Sequence, residues 1–358
     1  MSGLGSSDRS FAARVIAWQR VHGRHDLPWQ GTRDPYRVWL SEVMLQQTQV
    51  ATVLNYYPAF LARFPDVGAL ASAPLDEVLG LWSGLGYYSR ARHLHRCAQK
   101  VVAEHGGRFP SSAAALEGLP GIGRSTAAAI AAFCFGERAA ILDGNVKRVL
   151  ARWLGFAGDL TQPRETAALW QQAQALLPQR DPARQMPAYT QGLMDLGSTV
   201  CTRSRPRCEA CPVAADCVAR RESAPMRYPV RSPRAARGHQ VLWLAWLLDP
   251  NERVWLARRP APGVWGGLHA LPVFDSEPTL RAALPEIGSA TMREQPLVRH
   301  LLTHKELELR PLLARLSASQ AAALTLRMSE GTWAAPAQWE TLGLPAPIRR
   351  LLDCGPVL

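Results

Sequence analysis

Four of the seven cysteines in this 358-residue chain fall within seventeen positions, as Cys201-x6-Cys208-x2-Cys211-x5-Cys217. Four thiolates so close in sequence can close around one metal centre, because thiolate ligation suits soft metals and iron–sulfur clusters. A thiolate zinc site usually carries two separated C-x2-C pairs. Only one such pair occurs here, which favours a [4Fe–4S] cluster over zinc. The other three, Cys97, Cys134 and Cys354, sit in apolar or terminal contexts and read as inert core or tail residues. Between the first two ligands lie Arg203, Arg205 and Arg207. A solvated basic loop is the plain reading; a loop tethered by ligands at both ends is better suited to present that charge to a phosphate backbone.

Two carboxylates stand in contexts that matter chemically. Glu42 lies in the segment Pro35–Leu45, among the apolar residues Trp39, Val43, Met44 and Leu45. A carboxyl there is partly desolvated and biased toward its protonated form. Asp143 opens Asp143-Gly144-Asn145-Val146, where its plain role is a helix N-cap. A protonated Glu and an ionised Asp facing one substrate are the acid and the charge stabiliser that cleavage of an N-glycosidic bond needs, the logic of two-carboxylate glycosidases. Upstream runs Leu119-Pro120-Gly121-Ile122-Gly123-Arg124-Ser125-Thr126. Gly121 and Gly123 permit a tight turn and close backbone approach, and the N–H groups opening the next helix can bind an anion.

The segments that must position these residues read as helices over the first two hundred residues. Apolar spacing of three to four marks Phe11–Trp18, Val38–Val53, Leu75–Leu85, Ala91–Val102, Thr126–Phe135 and Thr166–Leu177. Pro58, Pro65 and Pro74 are expected to break the early stretch, and Gly106-Gly107 and Gly136 to end later helices. Residues 221–239 are rich in proline and arginine and read as a linker. Beyond them, Val241–Leu248 and Arg253–Ala257 are strand-like around the turn signal Asp249-Pro250-Asn251-Glu252, and Leu307–Leu312 alternates again. An all-α first part and an α+β second part follow, without internal repeats.

Composition sets the outer bounds. Length allows two domains, each with its own core. The 47% hydrophobic and 20% charged residues exclude wholesale disorder. No apolar run approaches a membrane span, and the first ten residues show no signal-peptide pattern, so the expected setting is the reducing cytoplasm. A net charge of +12 suggests a polyanionic partner without naming it. Only Lys100, Lys147 and Lys305 are lysines.

The motifs together resemble the bacterial A/G-specific adenine DNA glycosylases. The resemblance is carried by Leu27-Pro28-Trp29, the run Ser41 to Val50, Gly84-Leu85-Gly86-Tyr87-Tyr88, Ile141 to Arg148 and Met194-Asp195-Leu196-Gly197, with the hairpin and the four cysteines in the same order. It is dense over residues 10–220 and thinner over 240–350, where Leu256 to Pro260 and Gly263 to Leu268 match. It implies a multidomain chain: an all-α helix-hairpin-helix glycosylase domain over residues 8–220 with its iron–sulfur loop at 201–217, the linker 221–239, and an α+β Nudix-like domain over 240–353. That last domain lacks the glutamate-rich metal-binding helix of Nudix hydrolases, so the resemblance implies that it reads 8-oxoguanine.

Carried onto this sequence, the resemblance makes Glu42 the acid that protonates adenine N7 and then assists the attacking water. Asp143 would stabilise the oxocarbenium ion and Asn145 would help place the carboxylates. Trp29, Gln30, Leu45, Ser125 and Gln191 would line the pocket of the extruded adenine, Gln30 standing where some relatives have Arg. Gln47 and Tyr87 would fill the gap left by base flipping. Gly121, Gly123, Arg203, Arg205 and Arg207 would hold DNA, and Thr303 and His304 would read 8-oxoguanine, beside Leu302 where Phe is frequent. The implied partner is double-stranded DNA with A·8-oxoguanine or A·G mispairs, met by a monomer at the cytoplasmic nucleoid. The rival is an endonuclease III-like glycosylase and lyase acting on damaged pyrimidines, which needs a lysine after the hairpin to form a Schiff base. Ser125 occupies that position.

Overall fold

Helix starts follow local capping chemistry. Helix α1 (Phe11–His22) begins where Ser10 accepts a hydrogen bond from Ala13 N, and α2 (Pro35–Leu45) where Asp34 accepts from Tyr36 N with Pro35 in the first turn. The structure, a computed structural model, describes residues 10–233, 237–260, 263–285, 287, 291–328, 330–339 and 341–357. They divide into two compact units, 10–71 with 96–233, and 72–95 with 237–357. Residues 72–95, expected in the first domain, thus group with the later part of the chain. Residues 1–9 and 234–236, the ends of the expected first domain and part of the expected linker, lie outside the described residues.

Helices α3 (Val50–Arg63), α4 (Val67–Ser72), α5 (Leu75–Leu81), α6 (Ser89–His105), α7 (Ala113–Glu117), α8 (Arg124–Ile130), α9 (Gly144–Leu154), α10 (Pro163–Ala175), α11 (Pro182–Asp195) and α12 (Val218–Arg221) follow in order. In the first unit, α1 packs on α11 and α2 on α3 and α8. One core joins Val15, Ile16, Ala128, Ile141, Leu150, Leu169, Tyr189 and Leu196, the inward faces of six segments. Two helices end in π turns, Ala131–Phe135 after α8 and Leu196–Val200 after α11; such turns are frequent at functional sites.

Four expectations need correction. The apolar run Val38–Val53 is not one helix: α2 stops at Leu45, Gln47 takes φ +57°, and α3 starts at Val50. Both helices bury the same kind of face, so the period survives a break made by the polar run Gln46 to Gln49. Pro58 lies inside α3 and does not end it; it sits on the exposed face, where water can satisfy the carbonyl that its missing N–H abandons. The helix expected to Leu85 ends at Leu81, because Gly84 and Gly86 turn with positive φ and the Trp82 indole donates to Gly86 O. Finally, residues 221–233 are not a free linker. Tyr228 is buried, the Arg152 guanidinium donates to Pro225 O and Tyr228 O, Leu160 N donates to Val230 O, and Ser232 bonds Asp159. The donors of one buried arginine need acceptors, and the proline-rich segment supplies them.

Among the described residues, the second unit holds an eight-stranded mixed sheet. Its strands are β1 (Gly238–Leu248), β2 (Val254–Arg258), β3 (His269–Ala270), β4 (Val273–Phe274), β5 (Arg293–Glu294), β6 (Val298–Leu301), β7 (Lys305–Arg315) and β8 (Gly331–Ala334). Along the order β3-β2-β1-β7-β5, β1 and β7 run parallel in register from Gly238↔Lys305 to Leu248↔Arg315, and the other pairs are antiparallel. Helices α13 (Glu277–Ala283), α14 (Ala318–Arg327) and α15 (Ala346–Cys354) cover it. Leu242, Leu244, Trp246, Leu307 and Leu309 pack with Ile348 and Leu352 of α15; Ala245, Leu247, Leu312 and Ala314 pack with Leu280 of α13 and Leu324 of α14. Burial on both faces explains why β1 reads as a nearly continuous apolar run. No helix among the described residues is long and apolar enough to cross a membrane.

Candidate active site

Glu42 and Asp143 line one cavity of about 720 Å³ in the first unit, with Leu45, Ser125, Asn145 and Gln47 also on its wall. The two carboxylates have opposite surroundings. Glu42 projects from the last turn of α2, beside the fully buried Trp39 and Met44, and no described residue donates a hydrogen bond to its carboxyl. Burial, and next the negative charge of Asp143, push its pKa up to about 8. Asp143 caps α9, its Oδ1 accepting from Val146 N at 2.7 Å. Burial raises its pKa too, opposed by the N–H groups of Val146 and Asn145 and by the Arg148 and Lys147 cations. Glu42 therefore holds its proton at neutral pH, while the donors and cations that favour the charged form gather at Asp143.

Asn145 is held from two sides. Its Oδ1 accepts from Arg148 at 2.9 Å, and the same guanidinium donates to Gly197 O and Cys201 O. A Cβ on Gly197 would stand 2.7 Å from Asn145 Cβ, so only glycine lets the π turn after α11 approach this closely. Ser125 Oγ accepts from Leu142 N at 3.1 Å, tying the start of α8 to the loop just before Asp143.

A second cavity of about 570 Å³ adjoins through shared walls, Glu42 and Leu45 lining both. Trp29, Gln30 and Gln191 line it, whereas Ser125 lines the first cavity only. The buried Trp29 packs edge-on against Tyr57, with ring centroids 5.4 Å apart. Gln191 donates to Asp195 Oδ1 at 2.9 Å, and Gln30 Oε1 accepts from Leu27 N.

The hairpin lies at the start of α8. Gly121 has φ +77°, Ile122 is buried, and Gly123 caps the helix through its backbone. Arginine dominates the rim of the first cavity, with Arg24, Arg148, Arg152, Arg203 and Arg231 on its wall. Of the three loop arginines, Arg203 lines that cavity, Arg207 lines the cysteine cavity, and Arg205 is exposed. Gln47 belongs to the first unit. Tyr87, Thr303 and His304 belong to the second, where the exposed Tyr87, at φ +47°, places its hydroxyl 3.1 Å from Thr303 Oγ1. His304 is exposed at the turn into β7.

Cys201, Cys208, Cys211 and Cys217 all line one small cavity of about 30 Å³, whose other walls carry no carboxylate. Among the described residues, no group of three or more His, Cys, Asp or Glu is placed to hold a single metal ion. The donor set is thiol alone, which fits an iron–sulfur cluster. Arg152, buried and lining this cavity as well as the first, donates to Cys201 Sγ at 3.4 Å. The sequence assigned no site role to Arg24, Arg148, Arg152 or Asp195, and read the segment Met226–Arg231 as linker. Arg148 and Asp195 stand inside motifs singled out for resemblance, which was their one signal.

The sequence pattern of HhH-GPD superfamily base excision DNA repair proteins matches residues 40–174, and that of the NUDIX domain residues 243–354. The adenine DNA glycosylase of Buchnera aphidicola subsp. Acyrthosiphon pisum is 32% identical over 345 residues, 96% of this chain and 97% of the relative. The chain belongs to the adenine DNA glycosylase family. The human adenine DNA glycosylase is 47% identical over 220 residues, 59% of this chain and 39% of the human protein. Among solved structures, a thermostable thymine-DNA glycosylase aligns with a TM-score of 0.53 and 30% identity, covering 59% of this chain and 95% of that one. Adenine DNA glycosylases are hydrolases of N-glycosidic bonds and their substrate is DNA; Glu42, the hairpin and Asp143 all fall inside the matched helical segment. The superfamily typically carries an iron–sulfur cluster.

Proposed function

We propose that this adenine DNA glycosylase is monofunctional and removes adenine mispaired with 8-oxoguanine or guanine in duplex DNA. The observation that carries the mechanism is the unequal pair of carboxylates on one cavity wall. Glu42, held neutral by burial, donates its proton to adenine N7 and so makes the base a better leaving group. As the N-glycosidic bond breaks, positive charge grows on the sugar, and the ionised Asp143, fixed by its cap hydrogen bond, stabilises it. Glu42, now a carboxylate, takes a proton from the water that attacks the anomeric carbon. Asn145, braced by Arg148, keeps the Asp143 turn in place.

The extruded adenine occupies the cavity lined by Trp29, Gln30, Leu45 and Gln191, next to Glu42. Gln47 and Tyr87 fill the vacated stack, both already held at positive φ. Gly121, Gly123, Arg203, Arg205 and Arg207 bind the backbone, while Thr303 and His304 read the opposing 8-oxoguanine. Cys201, Cys208, Cys211 and Cys217 would hold a [4Fe–4S] cluster, whose iron–thiolate bonds would tie down the loop bearing those arginines. The chain works as a monomer at the cytoplasmic nucleoid. Incubation with A·8-oxoguanine and A·G duplexes, then alkaline cleavage, should cut the adenine strand alone; strand scission without alkali, or no scission of either duplex, refutes the reading.

A further inference from the structure

The second cavity carries two amides whose orientation is fixed from behind. Asp195, the last residue of α11, is fully buried and ion-paired with Arg24, whose Nε lies 2.7 Å from Oδ1. Its Oδ2 accepts from Arg24 N at 3.0 Å. Gln191, one turn earlier on α11, adds its Nε2 to Oδ1 at 2.9 Å. An ion-paired carboxylate can only accept, so Gln191 must turn its NH2 toward Asp195. The amide edge left for the cavity is its carbonyl, Oε1, to which no described residue donates. Gln30 is locked in the opposite sense: its Oε1 accepts from Leu27 N at 3.2 Å, and its buried Nε2 has no partner among the described residues.

The cavity thus offers one fixed acceptor, the Gln191 carbonyl, while the Gln30 amide nitrogen is enclosed by protein. Adenine presents the complementary group, an exocyclic N6–H donor. Hypoxanthine, its deaminated counterpart, replaces that donor with O6, an acceptor. A buried amide that meets the wrong edge leaves polar groups unpaired, which costs more than a lost bond alone. We infer that Asp195 is a positioning residue for specificity, which locks the Gln191 amide so that the cavity accepts adenine and rejects hypoxanthine. This rests on the reading above that the cavity receives the extruded base.

The test is single-turnover excision from duplexes carrying adenine or hypoxanthine opposite 8-oxoguanine. Asp195→Asn can donate to Gln191 and free its amide to turn over, so the adenine-to-hypoxanthine rate ratio should fall on the order of tenfold, the effect of one ordinary hydrogen bond. Gln191→Met, which keeps the Asp195–Arg24 pair, should lower the ratio similarly, and the double variant should lower it no further. A merely structural role would slow both substrates alike and leave the ratio unmoved. A folded Asp195→Asn protein with the parental ratio overturns the inference while leaving adenine excision in place; a parental protein inactive on adenine overturns the proposed function instead. If Asp195→Asn does not fold, the parental protein still decides. Its Gln191 side-chain amide signal, identified as the one lost in Gln191→Met, must show one proton shifted downfield and protected from exchange; a freely exchanging amide overturns the lock.

Discussion

Glu42→Gln should abolish excision and at the same time stabilise the protein, increasingly so as pH rises. The carboxyl has a pKa of about 8 in the folded chain against 4.5 ordinarily. Between those values the native state holds one proton more than the unfolded chain, so stability falls as pH rises, by about 1.4 kcal/mol per pH unit. The accumulated loss is about 3 kcal/mol at pH 7 and levels off near 5 kcal/mol above pH 8. Glutamine copies the neutral carboxyl in size and carries no such penalty. At pH 7 the variant should therefore melt higher by roughly 6–12 °C, taking about 2–4 °C per kcal/mol for a unit of this size. Below pH 4.5 the two proteins should melt together. Calorimetry at pH 4.5, 7 and 8.5, with single-turnover excision on the same samples, reads both effects. A variant less stable than the parent at every pH shows that Glu42 is not held neutral by burial, and a variant that still excises shows that it is not the acid.

The same carboxyl sets the pH profile: the excision rate should fall as pH rises through about 8, where Glu42 loses its proton, and Glu42→Asp should move that limb. Asp143→Asn should keep its cap, since Asn caps nearly as well, and change stability by less than about 1 kcal/mol; excision should drop by roughly a hundredfold or more, and a variant with near-parental rate removes Asp143 from the mechanism. Thr303→Ala should lower the preference for adenine opposite 8-oxoguanine over adenine opposite guanine more than it lowers excision itself; an unchanged preference places lesion reading elsewhere. The purified chain should contain iron and sulfide and show a broad band at the visible edge that Cys211→Ala abolishes, and one zinc per chain with no such band refutes the cluster.

What could be read from the sequence follows what is local in physics. Asp143 as a cap, the apolar stripes of α1 and α10, and the strand-like runs of β1 and β7 announce themselves because neighbours within one turn or one strand decide them. The break at Gln46–Gln49 was hidden because both flanking helices continue one apolar rhythm. The segment 221–233 reads as linker from composition, since nothing local reveals that Arg152, some seventy residues earlier, would collect its carbonyls. Arg24 and Asp195 are 171 residues apart and were invisible as a pair for the same reason. At the candidate site, residue types were legible where chemistry demands them; their bracing was not, because it arises from the approach of α9, α11 and the π turn that follows it.

The N-cap and the catalytic readings of Asp143 look like competitors in sequence, and the geometry makes them one. The bond from Val146 N to Oδ1 satisfies an otherwise orphaned helix donor, and in doing so it favours the charged carboxylate. The positive end of α9 and the Arg148 and Lys147 cations push in the same direction. Glu42, placed within a helix whose own N–H groups are already committed to α2, has no donor to draw on, and burial decides its state. Two carboxylates on one cavity cannot both be charged at low cost; a helix start under one and a helix end under the other determine which keeps the proton. A substitution that deprived Asp143 of its cap without removing the carboxylate would therefore raise its pKa, shift proton occupancy away from Glu42, and slow excision through the wrong distribution of a single proton.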